Sequence, residues 1–177
     1  AVLSTWGQTR LWINDGLGNF ANATAQMPPY SDTSNDVVLL DVDGDGDLDV
    51  FVANSHQTAQ NRIHLNDGAG NFVDAPANLP VQFDPTYAAA AGDVNGDGFV
   101  DLICANVGPN QLLLNDGTGA FSDASFLLPQ TVENSRAVAL IDFDGDGDLD
   151  VIFGNDDQNT LLENVGNGVL AATTNLM

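Results

Sequence analysis

Lysine is absent from the 177-residue chain, and arginine occurs at three positions, Arg10, Arg62 and Arg136. Set against 25 acidic residues, that scarcity leaves a formal charge of −22. Such a surface repels phosphate backbones and anionic lipid, which disfavours nucleic acid and anionic membranes as partners. Cys104 is the single cysteine, so neither an internal disulfide nor a thiolate metal cluster can form. It lies in the apolar run "VDLICAN", where a free thiol behaves as a small buried hydrophobe. No apolar stretch is long enough to insert across a bilayer as a helix. Neither G-x-S-x-G nor H-E-x-x-H occurs, and the two histidines, His56 and His64, read as polar surface residues. No nucleophile–base pair is in view, and the chain reads as a non-enzyme. It starts without methionine and shows no signal-peptide pattern, as expected of a processed product or a fragment.

What is abundant comes in order. Hydrophobic residues make up 44% of the chain and fall in short runs, which argues for a folded domain despite the charge. The stretch "RLWINDGLGNFANAT" (10–24) matches "RIHLNDGAGNFVDAP" (62–76), "QLLLNDGTGAFSDAS" (111–125) and the eroded "TLLENVGNGVLAATT" (160–174). Aspartate-rich runs begin at Asp41, Asp93 and Asp142, stepping by 52 and then 49 residues, as the first to third of these stretches do. Two features that keep one period define a tandem unit of about 50 residues.

Each unit reads as strands. "DVVLLDV", "YAAAAGDV" and "RAVALIDF" precede the aspartate runs; "LDVFVAN", "VDLICAN" and "LDVIFGN" follow them; two shorter strands flank an Asn-Asp-Gly turn. Runs of this length bounded by Gly, Asn and Asp are joined by tight hairpins, and no segment keeps helical periodicity over ten residues. Four-stranded antiparallel units of this size, with small residues in the first strand, are the blades of a β-propeller. The expected fold class is therefore all-β, with about 3.5 to 4 blades. Residues 1–30 form a blade lacking its first strand and aspartate loop, and residues 36–80, 87–129 and 136–177 form complete ones. This count fits a piece of a longer propeller, a small ring, or a homodimer whose two chains complete one ring.

"DVDGDGDLDV" places five aspartates in nine positions with no cation beside them. A like-charge pair about 4 Å apart costs roughly 1 kcal/mol in water and about 4 kcal/mol at an effective dielectric of 20. A hard divalent cation removes that cost, and a flexible oxygen-only loop selects Ca²⁺ over Mg²⁺ or the transition metals. In such a curl the side chains at positions 1, 3 and 5 face inward, position 7 offers its backbone carbonyl, and glycines at 4 and 6 permit the turn. The ligands are then Asp41, Asp43, Asp45 and the carbonyl of Asp47; Asp93, Asn95, Asp97 and the carbonyl of Phe99; Asp142, Asp144, Asp146 and the carbonyl of Asp148. Position 12 holds Val52, Cys104 and Phe153, so these are not EF-hands. The remaining ligand falls to position 9, Asp49, Asp101 and Asp150. One such run alone would pass for a solvated turn; three sharing the 1-3-5-9 pattern point to a bound ion.

"DVDGDGDLDVFVAN" followed by "NRIHLNDGAGNFVDA" resembles the FG-GAP/VCBS repeat of integrin-α-like β-propellers, and the resemblance covers essentially the whole chain. It implies calcium held by the loop positions above, complete rings of seven or eight blades, and a secreted or surface-exposed bacterial protein. A Phe-Gly…Gly-Ala-Pro signature is absent, with "YAAAAGDV" where it would sit, so integrin-type ligand binding does not carry over. The expected role is a calcium-stabilised module that recognises a protein or glycan. The alternative is part of a calcium-dependent polysaccharide lyase, which needs a base and a cation in one groove. Trp6 and Trp12 lie on strand patterns of the first unit, where packing outweighs stacking on a sugar.

Overall fold

A computed structural model describes residues 2–3, 6–30, 32–56, 60–131 and 133–173, without the side chains of Leu3, Trp6 and Asp32. The sugar-stacking question for Trp6 therefore lies outside the described residues. Sixteen strands follow in order, with no α-helix among the described residues. Blade 1 contains β1 (Val2–Leu3), β3 (Arg10–Asn14) and β4 (Phe20–Asn22), paired in the order β1-β3-β4. β2 (Trp6–Gly7) leaves that sheet and pairs with the next. Blade 2 runs β5 (Asp32–Leu40), β6 (Asp49–Asn54), β7 (Arg62–Asn66) and β8 (Phe72–Asp74). Blade 3 runs β9 (Thr86–Gly92), β10 (Asp101–Gly108), β11 (Gln111–Asn115) and β12 (Phe121–Asp123). Blade 4 runs β13 (Glu133–Ile141), β14 (Asp150–Asn155), β15 (Thr160–Asn164) and β16 (Leu170–Ala172). Within blades 2 to 4 the strands pair antiparallel with their sequence neighbours, the meander of a propeller blade, and the end of β10 pairs with the start of β13 through Val107–Asn134 and Gly108–Glu133, joining blades 3 and 4.

The blades stack through their faces, and the second strand of each shows why its sequence is apolar throughout. Side chains alternate across a strand, so Val50 and Val52 face blade 1 while Phe51 and Ala53 face blade 3. All four are buried because a sheet lies on either side. The seam between blades 2 and 3 packs Leu40, Val42, Phe51, Ile63 and Leu79 against Leu102, Cys104, Leu113 and Phe121. The next seam repeats it, with Val94, Ile103, Leu112 and Leu128 against Val151, Phe153, Leu162 and Leu170. A short 3-10 turn follows each of the first three blades (24–26, 76–78, 125–127), and the residue after it, Met27, Leu79 or Leu128, plugs the seam. Cys104 is fully buried there, and burial pushes its thiol up to about 12, so it is inert.

Polar residues fix both ends of the second strand. β6 and β10 begin at buried aspartates, Asp49 and Asp101, and reach buried asparagines, Asn54 and Asn106. At the asparagine end, Thr86 Oγ1 donates to Asn106 Oδ1 at 2.8 Å and Asn106 Nδ2 donates to the Pro109 carbonyl at 3.0 Å. The link continues into the neighbouring blade. Asn61 Nδ2 of blade 2 donates to Thr86 Oγ1 of blade 3 at 2.9 Å, and Asn110 Nδ2 of blade 3 donates to Ser135 Oγ of blade 4 at 2.9 Å.

Truncating Ile103, which is 0% exposed, to alanine removes a seam residue and should cost about 2–5 kcal/mol. Val73→Ala, at a side chain 65% exposed, should stay within about 0.5 kcal/mol. Urea melts that give equal midpoints for the two variants would contradict the seam assignment.

Candidate metal centre

The three aspartate turns share one internal construction. The first carboxylate accepts the N–H of the fourth residue on one oxygen and that of the sixth on the other: Gly44 and Gly46 onto Asp41 at 2.9 and 3.0 Å, Gly96 and Gly98 onto Asp93 at 2.8 Å each, Gly145 and Gly147 onto Asp142 at 2.8 and 3.2 Å. The third residue takes the N–H of the fifth, and the fifth that of the seventh, as in Asp97 onto Asn95 and Phe99 onto Asp97, both 2.9 Å. Such a curl needs left-handed backbone at the fourth and sixth positions; Gly44 and Gly46 have φ of 75° and 91°.

These bonds aim the acids inward. One carboxylate oxygen each from Asp41, Asp43 and Asp49 lie within 4.8 Å of one another, and so do those of Asp142, Asp144 and Asp146. The grouping leaves Asp45 outside the first trio and Asp150 outside the third. In the second loop Asn95 replaces an acid and its Nδ2 donates to Asp97 Oδ2 at 2.8 Å, and Asp93, Asp97 and Asp101 form no such trio. In the first two loops the side chain at position 7 turns away from the curl. Asp47 covers Gly68 and Phe99 covers Gly117 of the adjoining hairpin, so close that a Cβ on either glycine would collide. That leaves the backbone carbonyl as what position 7 offers the curl.

Position 9 is the anchor. Asp49, Asp101 and Asp150 are at most 1% exposed, and each carboxylate accepts two backbone N–H groups. One comes from the second residue of its own loop: Val42 at 2.9 Å, Val94 at 2.9 Å, Phe143 at 2.8 Å. The other comes from the hairpin asparagine: Asn66 at 2.7 Å, Asn115 at 2.9 Å, Asn164 at 2.8 Å. Burial pushes the Asp49 and Asp101 carboxyls above the usual carboxylate range; the backbone donors oppose this, while Asp43 and Asp45 act with burial on Asp49, and Asp97 on Asp101.

The hairpin asparagine also reaches the preceding blade. Asn115 Nδ2 donates to the Val42 carbonyl at 2.8 Å, and Asn164 Nδ2 donates to the Val94 carbonyl at 2.8 Å. The second hairpin glycine sits on the same loop: a Cβ on Gly119 would lie 3.1 Å from the Val42 side chain and 3.3 Å from Asp43 Cβ. Each of the first two loops is thus covered by the next blade, and Asp41, Asp43, Asp93 and Asn95 are half-buried. In the third loop Asp142, Asp144 and Asp146 are exposed.

An all-oxygen donor set fits a hard divalent cation. Each oxygen that accepts one N–H keeps a second lone pair, and two of the three arginines are engaged elsewhere. Arg62 lies 3.5 Å from Asp74 and Arg136 is 2.8 Å from Asp156. Asp41, Asp43, Asp45, Asp49 and the Asp47 carbonyl would hold such an ion in the first loop, with their counterparts in the others.

One reading is corrected. His64, expected on the surface, is 2% exposed, because its strand faces blade 1. Its Nδ1 lies 3.3 Å from Asp74 Oδ1, Tyr30 Oη donates to Asp74 Oδ2 at 2.6 Å, and the Arg62 guanidinium stacks 3.6 Å from the Tyr30 ring centre. These residues come from separated segments with no motif between them, and sequence reasoning missed the cluster. The cavity beside it measures about 10 Å³, room for one water and not for a sugar ring. His56 is exposed, in keeping with the surface reading.

Fold and loops together define a β-propeller built from tandem blades with acidic turns. A family model described as an FG-GAP-like repeat matches residues 1–52, 41–104 and 93–153, and the chain belongs to that family. No curated protein matches it. Among solved structures it is similar to an Agrocybe aegerita lectin, described by its specific recognition of non-reducing terminal N-acetylglucosamine, at 20% identity and a TM-score of 0.59. The match covers 93% of this chain and 45% of the lectin chain, so the chain spans about half the length of that structure.

The raised carboxyls set a sign for pH dependence. A buried acid that binds its proton more tightly folded than unfolded lowers stability above its folded pKa and restores it as pH falls. Asp15, Asp67 and Asp116 run the other way, held low by hydrogen bonds from Asn19, Asn71 and Thr118, and the stability they add above the unfolded value is lost in acid. They are fully exposed and solvent-screened, so the buried pair prevails. In chelator, the melting midpoint should rise as pH is lowered from 7 towards 5, read by circular dichroism; a fall would show that the loops carry no uncompensated charge.

Proposed function

We propose that the chain is a calcium-binding recognition module in which three ions, one per aspartate loop, serve as structural supports and the ligand is a protein or a glycan. The observation that carries this reading is the inward grouping of carboxylates in turns whose backbone is already curled. Bound calcium supplies the positive charge that the loops lack. The chain's own residues do the rest: position 1 holds the curl, position 9 ties it to the hairpin, and the hairpin ties it to the preceding blade. An ion that binds only the folded loop adds about 2.7 kcal/mol at one hundred times its dissociation constant. Millimolar extracellular calcium fills even a weak site of this kind, which favours a secreted or cell-surface setting, and a bacterial one on the family resemblance.

Recognition without turnover is favoured over the lyase reading. Among the described residues, the place where a histidine, a tyrosine and an arginine meet is the seam at His64, too small for substrate. The likeness to a lectin supports a glycan as one ligand class, at the level of fold. A homodimer that completes the ring is the assembly we favour.

Excess EDTA at neutral pH should lower the melting midpoint by at least about 5 °C, with recovery on adding calcium and not on adding magnesium. An unchanged midpoint would remove the metal from the account. Glycan-array binding with no release of unsaturated sugar supports the recognition module, and cleavage of an acidic polysaccharide would replace it with the lyase.

A further inference from the structure

Blade 4 presents an uncovered face built from the residues that the other seams bury. Ile152 stands at the repeat position of Phe51 and Ile103, both 0% exposed, yet is 38% exposed. Phe143 stands where Val42 and Val94 stand, at 1% and 2%, and is 47% exposed; Ile141 replaces Leu40, at 3%, and is 46% exposed. The Val42 and Val94 carbonyls each receive a hairpin asparagine from the following blade, and the Phe143 carbonyl occupies the same place in the third loop.

The complementary half of such a seam is displayed at the other end of the molecule. In blade 1, Asn14 corresponds to Asn115 and Asn164, and it is exposed where they are 3% and 1% exposed. Gly18 corresponds to Gly119 and Gly168, with the same left-handed backbone (φ 92°) and nothing within 4 Å of its Cβ position. Phe20 corresponds to Phe121 and Leu170, buried at 8% and 3%, and is itself 52% exposed.

Resting on the reading of the chain as blades of one ring, we propose that the blade 4 face is the docking surface for blade 1 of a second copy of this chain. Asn14 donates its amide to the Phe143 carbonyl, Gly18 lies over Phe143 and Asp144, and Phe20 enters the apolar patch of Ile141, Phe143 and Ile152. This continues a seam the chain already forms, with the same residue types in the same register. The contact is head-to-tail, and a rotation that closes it makes a ring from two copies.

Sedimentation velocity on the full chain in calcium, over a range of concentrations, tests it. The expected result is a concentration-dependent dimer. Ile152→Asp and Phe20→Asp, both at exposed positions outside the loops, should each weaken association by about tenfold or more. Mixing the two variants is the decisive arm. The intact blade 4 face of one meets the intact blade 1 face of the other, so the mixture should form a dimer that neither variant forms alone. A chain that stays monomeric at 100 μM, or association that both variants leave unchanged, would overturn the proposal. A dimer lost in each variant and not restored on mixing would also overturn it, since a two-fold patch predicts no rescue. The melting midpoint with and without EDTA, taken on the same samples, reads the loops independently of the contact.

Discussion

Each acidic turn depends on one buried carboxylate. Asp49, Asp101 and Asp150 tie the second residue of the loop to the hairpin asparagine through backbone N–H groups. Removing such a partner from a buried donor costs about 1–3 kcal/mol for each group left unsatisfied. These two bonds also decide where the hairpin lies. In blades 3 and 4 the asparagine backbone is held by its own loop, which puts its side chain in reach of the preceding blade's carbonyl. One residue thereby couples the acidic turn, the outer hairpin and the seam, and the apolar faces then pack in register.

The burial that makes Asp49 and Asp101 good anchors also makes them poor anions. Water is excluded, neighbouring carboxylates stand nearby, and two N–H donors offset only part of that cost. Polypeptide alone could relieve the tension by placing an arginine in the loop, as Arg136 does for Asp156 on the first strand of blade 4. The chain instead carries no lysine and engages Arg62 and Arg136 elsewhere. Its composition thus supplies little cationic charge with which the acidic turns could be balanced.

Much of this was legible in the sequence, for physical reasons that also mark the limit. A 50-residue period, strands bounded by glycine and asparagine, and carboxylates at fixed offsets are local facts, and local facts repeat visibly. The ninth aspartates were identified as the extra acids, but their hold on the hairpin was not, because it joins residues 14 to 17 apart with no motif of their own. The asparagines at 115 and 164 were read as turn formers; their bonds across 73 and 70 residues exist only once blades stack. His64 misled for the same reason. It occupies the repeat position of Leu113 and Leu162, an inward position, and the polar identity of the residue was weighed above its register.

Three nearly identical turns are therefore not three identical sites. Residues 41–49 and 93–101 each have a neighbouring hairpin that donates to the second carbonyl and presses a glycine onto the third residue; residues 142–150 have the same kind of sequence without that cover. Preorganisation by a neighbour reduces the entropy that a loop must lose on binding an ion. In a stacked array the properties of a site thus belong to the pair of blades that encloses it rather than to the blade that encodes it. The same reasoning explains why the apolar face of blade 4 and the acids of its loop are exposed together: in the other blades, what buries the one also covers the other.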